Sequence, residues 1–260
     1  MLKFFRKIRQ NLIAKGNIKR YVLYAVGEIL LVVIGILIAL QINTWNENRK
    51  TDIVRQQLYQ GLEEEFQLVK KLHLDKRAAY DAVQNAGLTI LKNTGKGKTE
   101  MSIATFDSLL AANLQLLVFN PSFVVFREIM ETEKIGLIDN TNIKSLLYQY
   151  QAIHSDYRAM EEVSLNDITE HLVPYLNKRV AFKNIDFRAL NLPSPSSIQT
   201  DNRHILMDLE FENLMDTRYF VLKHQLEFLE QLGETIDSLL VELNRTIVDS
   251  KGEQEVNPLN

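Results

Sequence analysis

From Val22 to Ile42 the chain reads VLYAVGEILLVVIGILIALQI, 21 positions interrupted only by Glu28 and Gln41. At about 1.5 Å per helical residue this run spans roughly 31 Å, the thickness of a bilayer's hydrocarbon core. The pattern predicts one transmembrane helix, covering 21–45 once the flanking aromatic positions are included. Beyond Trp45 the pattern changes to apolar positions three or four apart, the period of an amphipathic helix. Leu58, Leu62, Phe66, Val69, Leu72, Ala79, Val83, Ala86 and Ile90 place the first helix from the span to about Asn93. Two glycines, Gly95 and Gly97, follow it. A second, broken helical segment is expected over 103–118 and 121–132, because Asn120-Pro121 stops one helix and Pro121 suits the first turn of the next.

The third helix is expected to start after Ile138-Asp139-Asn140-Thr141, any of whose three polar residues can cap it. Its apolar face is marked by Ile143, Leu146, Tyr150, Ile153, Tyr157, Met160, Ile168 and Leu172, and Pro174 is expected to kink or end it. Residues 181–200 read as a loop around Pro193 and Pro195. The fourth helix carries the clearest seam, with Met215, Tyr219, Leu222, Leu226, Leu229, Gly233, Ile236, Leu240, Leu243 and Ile247 alternating four and three apart. The predicted fold is therefore all-α: a transmembrane helix followed by an antiparallel up-down-up-down bundle with long, coiled-coil-like helices. Its divisions are a basic amphipathic segment (1–20), the anchor (21–45), the bundle (46–248) and a disordered polar tail (249–260).

Charge sets an orientation. Residues 1–20 carry seven basic side chains and no acid, and juxtamembrane Lys and Arg favour the cytoplasmic side. The N-terminus is thus expected inside, the bundle in the periplasm or otherwise outside the cytoplasm, and the anchor in the inner (plasma) membrane. Tyr21, Tyr24 and Trp45 sit where interfacial rings belong. Leu2, Phe5, Ile8, Leu12 and Ile13 share one face of a short basic helix suited to anionic headgroups, or simply belong to a long basic flank. A cleaved signal peptide is the alternative to an uncleaved anchor; the run is long for one, and LIALQINTWN offers no small-residue cleavage site. Residues 1–50 hold nine basic and two acidic side chains. That leaves 21 of the chain's 30 basic and 31 of its 33 acidic residues to 51–260, a net of −10. Such a balance argues against nucleic acid as a partner.

Chemical motifs are scarce. The chain has no cysteine, which excludes disulfides, thiolate metal sites and thiol catalysis. Gly95-Lys96-Gly97-Lys98-Thr99 resembles the end of a P-loop, but Lys92 stands where its first glycine is needed and a helix precedes it. None of the five histidines completes an E-x-x-H or H-E-x-x-H pair. His204, Asp208 and Glu212, or Asp167 and His171, have helical spacing that a solvated face explains better than a metal. Nothing forms a G-x-S-x-G elbow. No cofactor, metal or catalytic residue is assigned, and an enzyme is not expected.

Glu28 stands apart, because an acid in hydrocarbon is costly unless it faces protein or a polar cavity. Gly27, Glu28, Gly35 and Ala39 are expected to share one side of the anchor, where small side chains let another helix approach. Glu28 then serves assembly, or else it binds a proton.

The stretch YAVGEILLVVIGILIALQINTWNE (24–47) resembles the anchor of an uncharacterised single-pass membrane protein family of Bacteroidetes. The opening FFRKIR (4–9) and Gly136-Leu-Ile-Asp-Asn140, leading to Leu146, Leu147 and Tyr150, are similar to it as well. The resemblance implies an anchor followed by a helical exported domain and brings no activity, cofactor or catalytic residue with it. The expected function is a non-enzymatic, membrane-anchored interaction or scaffold protein of the cell envelope. Its partners would be the membrane and, through the anchor, a second copy of the chain or another membrane protein. The alternatives are a helical-bundle sensor of a small ligand acting through a membrane partner, and an accessory subunit of an ion-driven complex using Glu28.

Overall fold

A computed structural model of the chain describes residues 18–97, 100–186 and 190–256. Among these residues there are seven α-helices and no strand. They are α1 (Ile18–Leu91), α2 (Ile103–Asn113), α3 (Val125–Glu131), α4 (Thr141–Asn166), α5 (Val173–Leu176), α6 (Phe182–Asp186) and α7 (Leu209–Val256). The chain divides into two units, Met1–Gln57 and Leu58–Asn260.

In the first unit the described part is helical throughout and has no core of its own. Val22, Leu23, Ile29, Leu31, Leu37 and Ile42 are each more than half exposed. An 18-residue window of this helix has a mean hydropathy of 2.6 with none of it buried, so it is long and apolar enough to cross a membrane. The basic segment 1–17 lies outside the described residues.

The second unit is the bundle, and side-chain pairs fix its directions. Lys70 meets Asp237, Arg77 meets Glu230, and Tyr80 meets Gln225, so α7 runs antiparallel to α1. Asn140 meets Thr246 and Ser164 meets Arg218, so α7 also runs antiparallel to α4. Residues 103–131 form the remaining descending leg. Tyr80 donates to the Leu117 carbonyl, and Glu65 accepts the amides of Val124, Val125 and Phe126. Up-down-up-down is thus the observed order.

That second leg departs from expectation. α2 stops at Asn113 rather than 118, α3 starts at Val125 rather than 121, and the chain between them is extended. Geometry explains the difference. From Leu117 to Val124 the leg runs beside α1 from Tyr80 to Glu65. About fifteen helical residues at ~1.5 Å and seven extended ones at ~3.3 Å both cover roughly 22–23 Å. Phe119, fully buried, anchors the middle of the leg, and its N–H donates to Glu161 Oε1 at 2.6 Å. Glu65 completes it by capping α3 from another helix: its Oε1 and Oε2 lie 2.5–3.1 Å from three first-turn amides. This supplies acceptors that Val124, at the cap position, cannot.

Of the three candidate caps for α4, Asn140 takes the role, its Oδ1 accepting from the amides of Asn142 and Ile143. Asp139 instead accepts from the Tyr59 hydroxyl at 2.5 Å, and Ile138 is fully buried. The Ile138-Asp139-Asn140 turn therefore pins the start of α4 to α1. At its other end α4 passes into a π-helical turn, Asp167–Leu172, before Pro174 enters α5 at its first turn. Proline has no N–H and its ring crowds the carbonyl four residues back, so the wider turn accommodates it and the helix ends two residues later. The 181–200 region holds one helical turn, α6, where a loop was expected. α7 continues to Val256, so 249–256 of the expected disordered tail is helical and 257–260 lies outside the described residues.

Candidate functional site

On the anchor, α1 is unbroken, so helical geometry settles which positions share a face. Glu28, Gly35 and Ala39 are spaced seven and four, which keeps them within roughly 40° of one another. Gly27 lies about 100° round from Glu28, so it belongs beside this stripe rather than on it. Gly35 and Ala39 are exposed and Glu28 is half-exposed; no heavy atom comes within 4 Å of the place a Cβ at Gly35 would occupy. Trp45 is exposed, with the Arg49 guanidinium 5.9 Å from its ring centroid. The side chains of Tyr21 and Tyr24 lie outside the described set.

In the bundle, most of the expected α7 seam is buried: Leu222, Leu229, Ile236, Leu240 and Leu243. Leu226 is only half-buried. The observed stripe runs Phe211, Met215, Arg218, Leu222, Gln225, Leu229, Leu232, Ile236, Leu239 and Leu243, alternating four and three without a break. Two of its members are polar. Arg218 is 1% exposed and Gln225 also 1%. α1 shows the same substitution, with His73 and Tyr80 facing the core where Leu72 and Ala79 were expected. On α4, Glu161 and Ser164 are buried in place of Met160.

These polar side chains, His73 apart, converge into one internal cluster. Arg218 Nη1 donates to Ser164 Oγ at 2.5 Å and Nη2 to the Gln115 carbonyl at 3.3 Å. Its Nε finds no protein partner. Burial pulls the guanidinium down to about 10, against the field of Asp167, which holds it up. Asp167, on the π turn, is 6% exposed; burial pushes its carboxyl up while Arg218 pulls it down, and its Oδ2 also lacks a protein partner. Gln225 Nε2 reaches the Tyr80 hydroxyl, which lies 2.8 Å from that of Tyr157, and Gln225 Oε1 is unpartnered. Burial pushes the Tyr80 phenol up to about 12 and the Tyr157 phenol further.

Beside the cluster lies a groove of about 510 Å³ between the extended leg and α4. Leu116, Val118, Leu165 and Ile168 form its apolar wall, Arg158 and Glu162 its rim, and Glu161 and Ser164 its inner side. Arg158 is paired with Glu161, whose other oxygen holds the Phe119 amide. The set suits recognition of charge and hydrogen-bonding pattern. Ser164 is no activated nucleophile, because its neighbour is a guanidinium that cannot accept a proton.

The remaining sequence candidates do not assemble. Gly95 adopts a positive φ of 70° and donates to the Leu206 carbonyl, ending α1 as a turn, while Lys98 and Thr99 lie outside the described residues. His204 sits in a 3₁₀ turn (Asn202–Met207) and Glu212 in α7, so no single helix aligns them with Asp208. Asp208 is instead engaged by Tyr175 and Arg179. Asp167 is buried and His171 exposed. Among the described residues no group of three metal-ligating side chains occurs. Compared with protein-family models, curated proteins and solved structures, the chain matches none of them.

Proposed function

We propose that the chain is a membrane-anchored helical interaction protein of the cell envelope, non-enzymatic, with its N-terminus cytoplasmic and its bundle outside the cytoplasm. The observation that carries this reading is the uncovered run from Val22 to Ile42 in a chain whose bundle, taken by itself, has a closed core. Covering a Val, Leu or Ile side chain is worth roughly 1.5–3 kcal/mol, so a run of this length demands an apolar surround. A bilayer supplies one along the whole length of the helix. The seven basic residues before it support this direction. The Glu28/Gly35/Ala39 stripe supports association within the membrane with a second copy or another spanning helix.

Reporter fusions test the reading. A reporter that works only outside the cytoplasm should be active after Asn260, and one that works only inside should be active near Lys15. Cytoplasmic activity of the C-terminal fusion overturns the topology. Release of a soluble chain starting near Asn43 overturns the anchor.

A further inference from the structure

Two buried asparagines hold the walls of a second cavity, of about 260 Å³, between α2, α6 and the stretch 195–200. Asn184 accepts from the Ser196 amide and donates to the Gln199 carbonyl, which fixes that stretch against α6. Asn202 accepts from the Ala181 amide and donates to Asp107 Oδ1 at 2.8 Å, which ties the entry of α6 to α2. Asp107, only 7% exposed, lines the cavity. Its Oδ1 turns inward to Asn202. Its Oδ2 has no hydrogen-bond partner among the described residues, yet it is not sealed in as the orphan atoms of Asp167 and Arg218 are, so it is the oxygen left open to the cavity.

No lysine or arginine among the described residues lines this cavity. Arg203 draws the Asp107 carboxyl down without pairing with it, because its Nε and Nη2 bind Asp201 and its Nη1 the Met101 carbonyl. Burial outweighs that pull and holds the carboxyl above its ordinary range. Ser108 gives its proton to the Ala104 carbonyl and so offers the cavity only acceptor lone pairs, and Thr200 adds a hydroxyl. Ile103, Ile185 and Pro195 supply apolar wall.

We propose that this cavity is the binding site of a small primary ammonium with a short aliphatic body. The ammonium donates to Asp107 Oδ2 and to the Ser108 and Thr200 oxygens, and the body lies on Ile103, Ile185 and Pro195. A volume just under the roughly 300–1,000 Å³ of drug-sized sites keeps the ligand small. An anion would meet acceptors alone. A neutral alcohol forgoes the charge-assisted hydrogen bond, which is about twice as strong as a neutral one. Calcium takes roughly six to eight oxygens and magnesium demands an octahedron, whereas one carboxylate oxygen and two hydroxyls stand here beside an apolar wall. The positive end of α2 opposes a cation, but Ser102 already satisfies the Thr105 amide there. The site lies within the bundle and is independent of whether residues 22–42 cross a membrane.

The test is thermal unfolding of the full chain in detergent micelles at neutral pH and constant ionic strength, with isobutylamine, isobutanol, sodium chloride or calcium chloride. Isobutylamine should raise the midpoint saturably, and isobutanol should act at least about tenfold more weakly. Asp107→Asn keeps an oxygen for Asn202 but removes the charge and should abolish the amine response. Ala104→Leu fills the cavity from the exposed side of α2, leaves the Asp107–Asn202 bond intact and should do the same; if Asp107→Asn does not fold, Ala104→Leu decides. No shift with tens of millimolar isobutylamine overturns the proposal. So does an equal response to isobutanol, an equal response to either metal ion, or an amine response that survives Ala104→Leu.

Discussion

The His73 imidazole occupies the space a side chain at Gly233 would fill: a Cβ there would lie 2.5 Å from His73 Cε1. The ring is fixed in that place by Nε2, which sits 2.7 Å from the Leu229 carbonyl oxygen, and by Phe119, whose ring meets it edge-on. Glycine inside a helix costs about 1 kcal/mol relative to alanine, so its presence in the middle of α7 is offset by the docking of α1.

Gly233→Ala should therefore destabilise the bundle despite the better helix former, by about 1–3 kcal/mol, the usual cost of overpacking. In the His73→Ala background the same change should stabilise, because the obstacle is gone and the propensity gain remains. Urea unfolding of the four proteins of this double-mutant cycle measures the coupling. Additive effects would show that ring and glycine do not meet.

His73 also makes the bundle sensitive to acid, together with His154. Burial lowers both imidazoles from their ordinary 6.5, with Arg77 and Arg158 respectively acting in the same direction, while the Leu229 carbonyl and Asp237 partly oppose the shift at His73. The unfolded chain then binds protons before the folded one as pH falls. Stability is fully present above 6.5 and is lost as pH drops from there through the depressed folded values. The slope can reach about 1.4 kcal/mol per pH unit for each histidine. Asp107 and Asp167, whose carboxyls burial raises, act in the opposite sense at lower pH. His154 Nε2 has no protein partner and its ring stacks on Tyr150 at 5.8 Å. His154→Phe should keep the stack, hold stability near pH 7 and flatten the acid slope; an unchanged slope would exclude this residue as its source.

The α7 seam departs from purely apolar spacing at two polar positions, Arg218 and Gln225. Three-four spacing located α7 and most of its buried positions, yet apolarity as the criterion stepped from Leu222 to Leu226 and passed over Gln225. A polar side chain enters a seam only when partners elsewhere in the fold receive it, as Tyr80 receives Gln225 and Ser164 receives Arg218. No local pattern encodes those partners. The extended leg is hidden for a related reason: 114–118 and 121–124 read as helical on either side of the Asn120-Pro121 break, but Tyr80, Glu161 and Glu65 pin the whole stretch from other helices. The anchor, by contrast, is legible because its character is local.

Substitution separates the two seam assignments. Leu229→Asp buries an unpaired charge at a fully enclosed position and should cost several kcal/mol, about 3 or more. Leu226→Asp, at a half-buried position one step off the stripe, should cost clearly less. Circular dichroism melts of the fragment from Arg49 onward compare them. Equal losses would return Leu226 to the seam.

On the anchor, the offset of Gly27 from the Glu28/Gly35/Ala39 stripe makes association testable in detail. Bulk at the interface keeps helices apart, so Gly35→Leu should sharply reduce the yield of crosslinked oligomer in intact membranes. Gly27→Leu, about 100° round from Glu28, should reduce it less. Glu28→Gln preserves shape and supplies an amide that both donates and accepts, so an assembly role tolerates it. A proton-carrying role does not, because the amide cannot ionise: crosslinking would persist while the cellular phenotype matched a deletion. Glu28→Leu removes every hydrogen bond and should impair assembly outright. If Glu28→Leu matches the parent in both crosslinking and phenotype, the carboxylate serves neither purpose. If Gly27→Leu is the more damaging glycine change, the partner helix docks on the other side of α1.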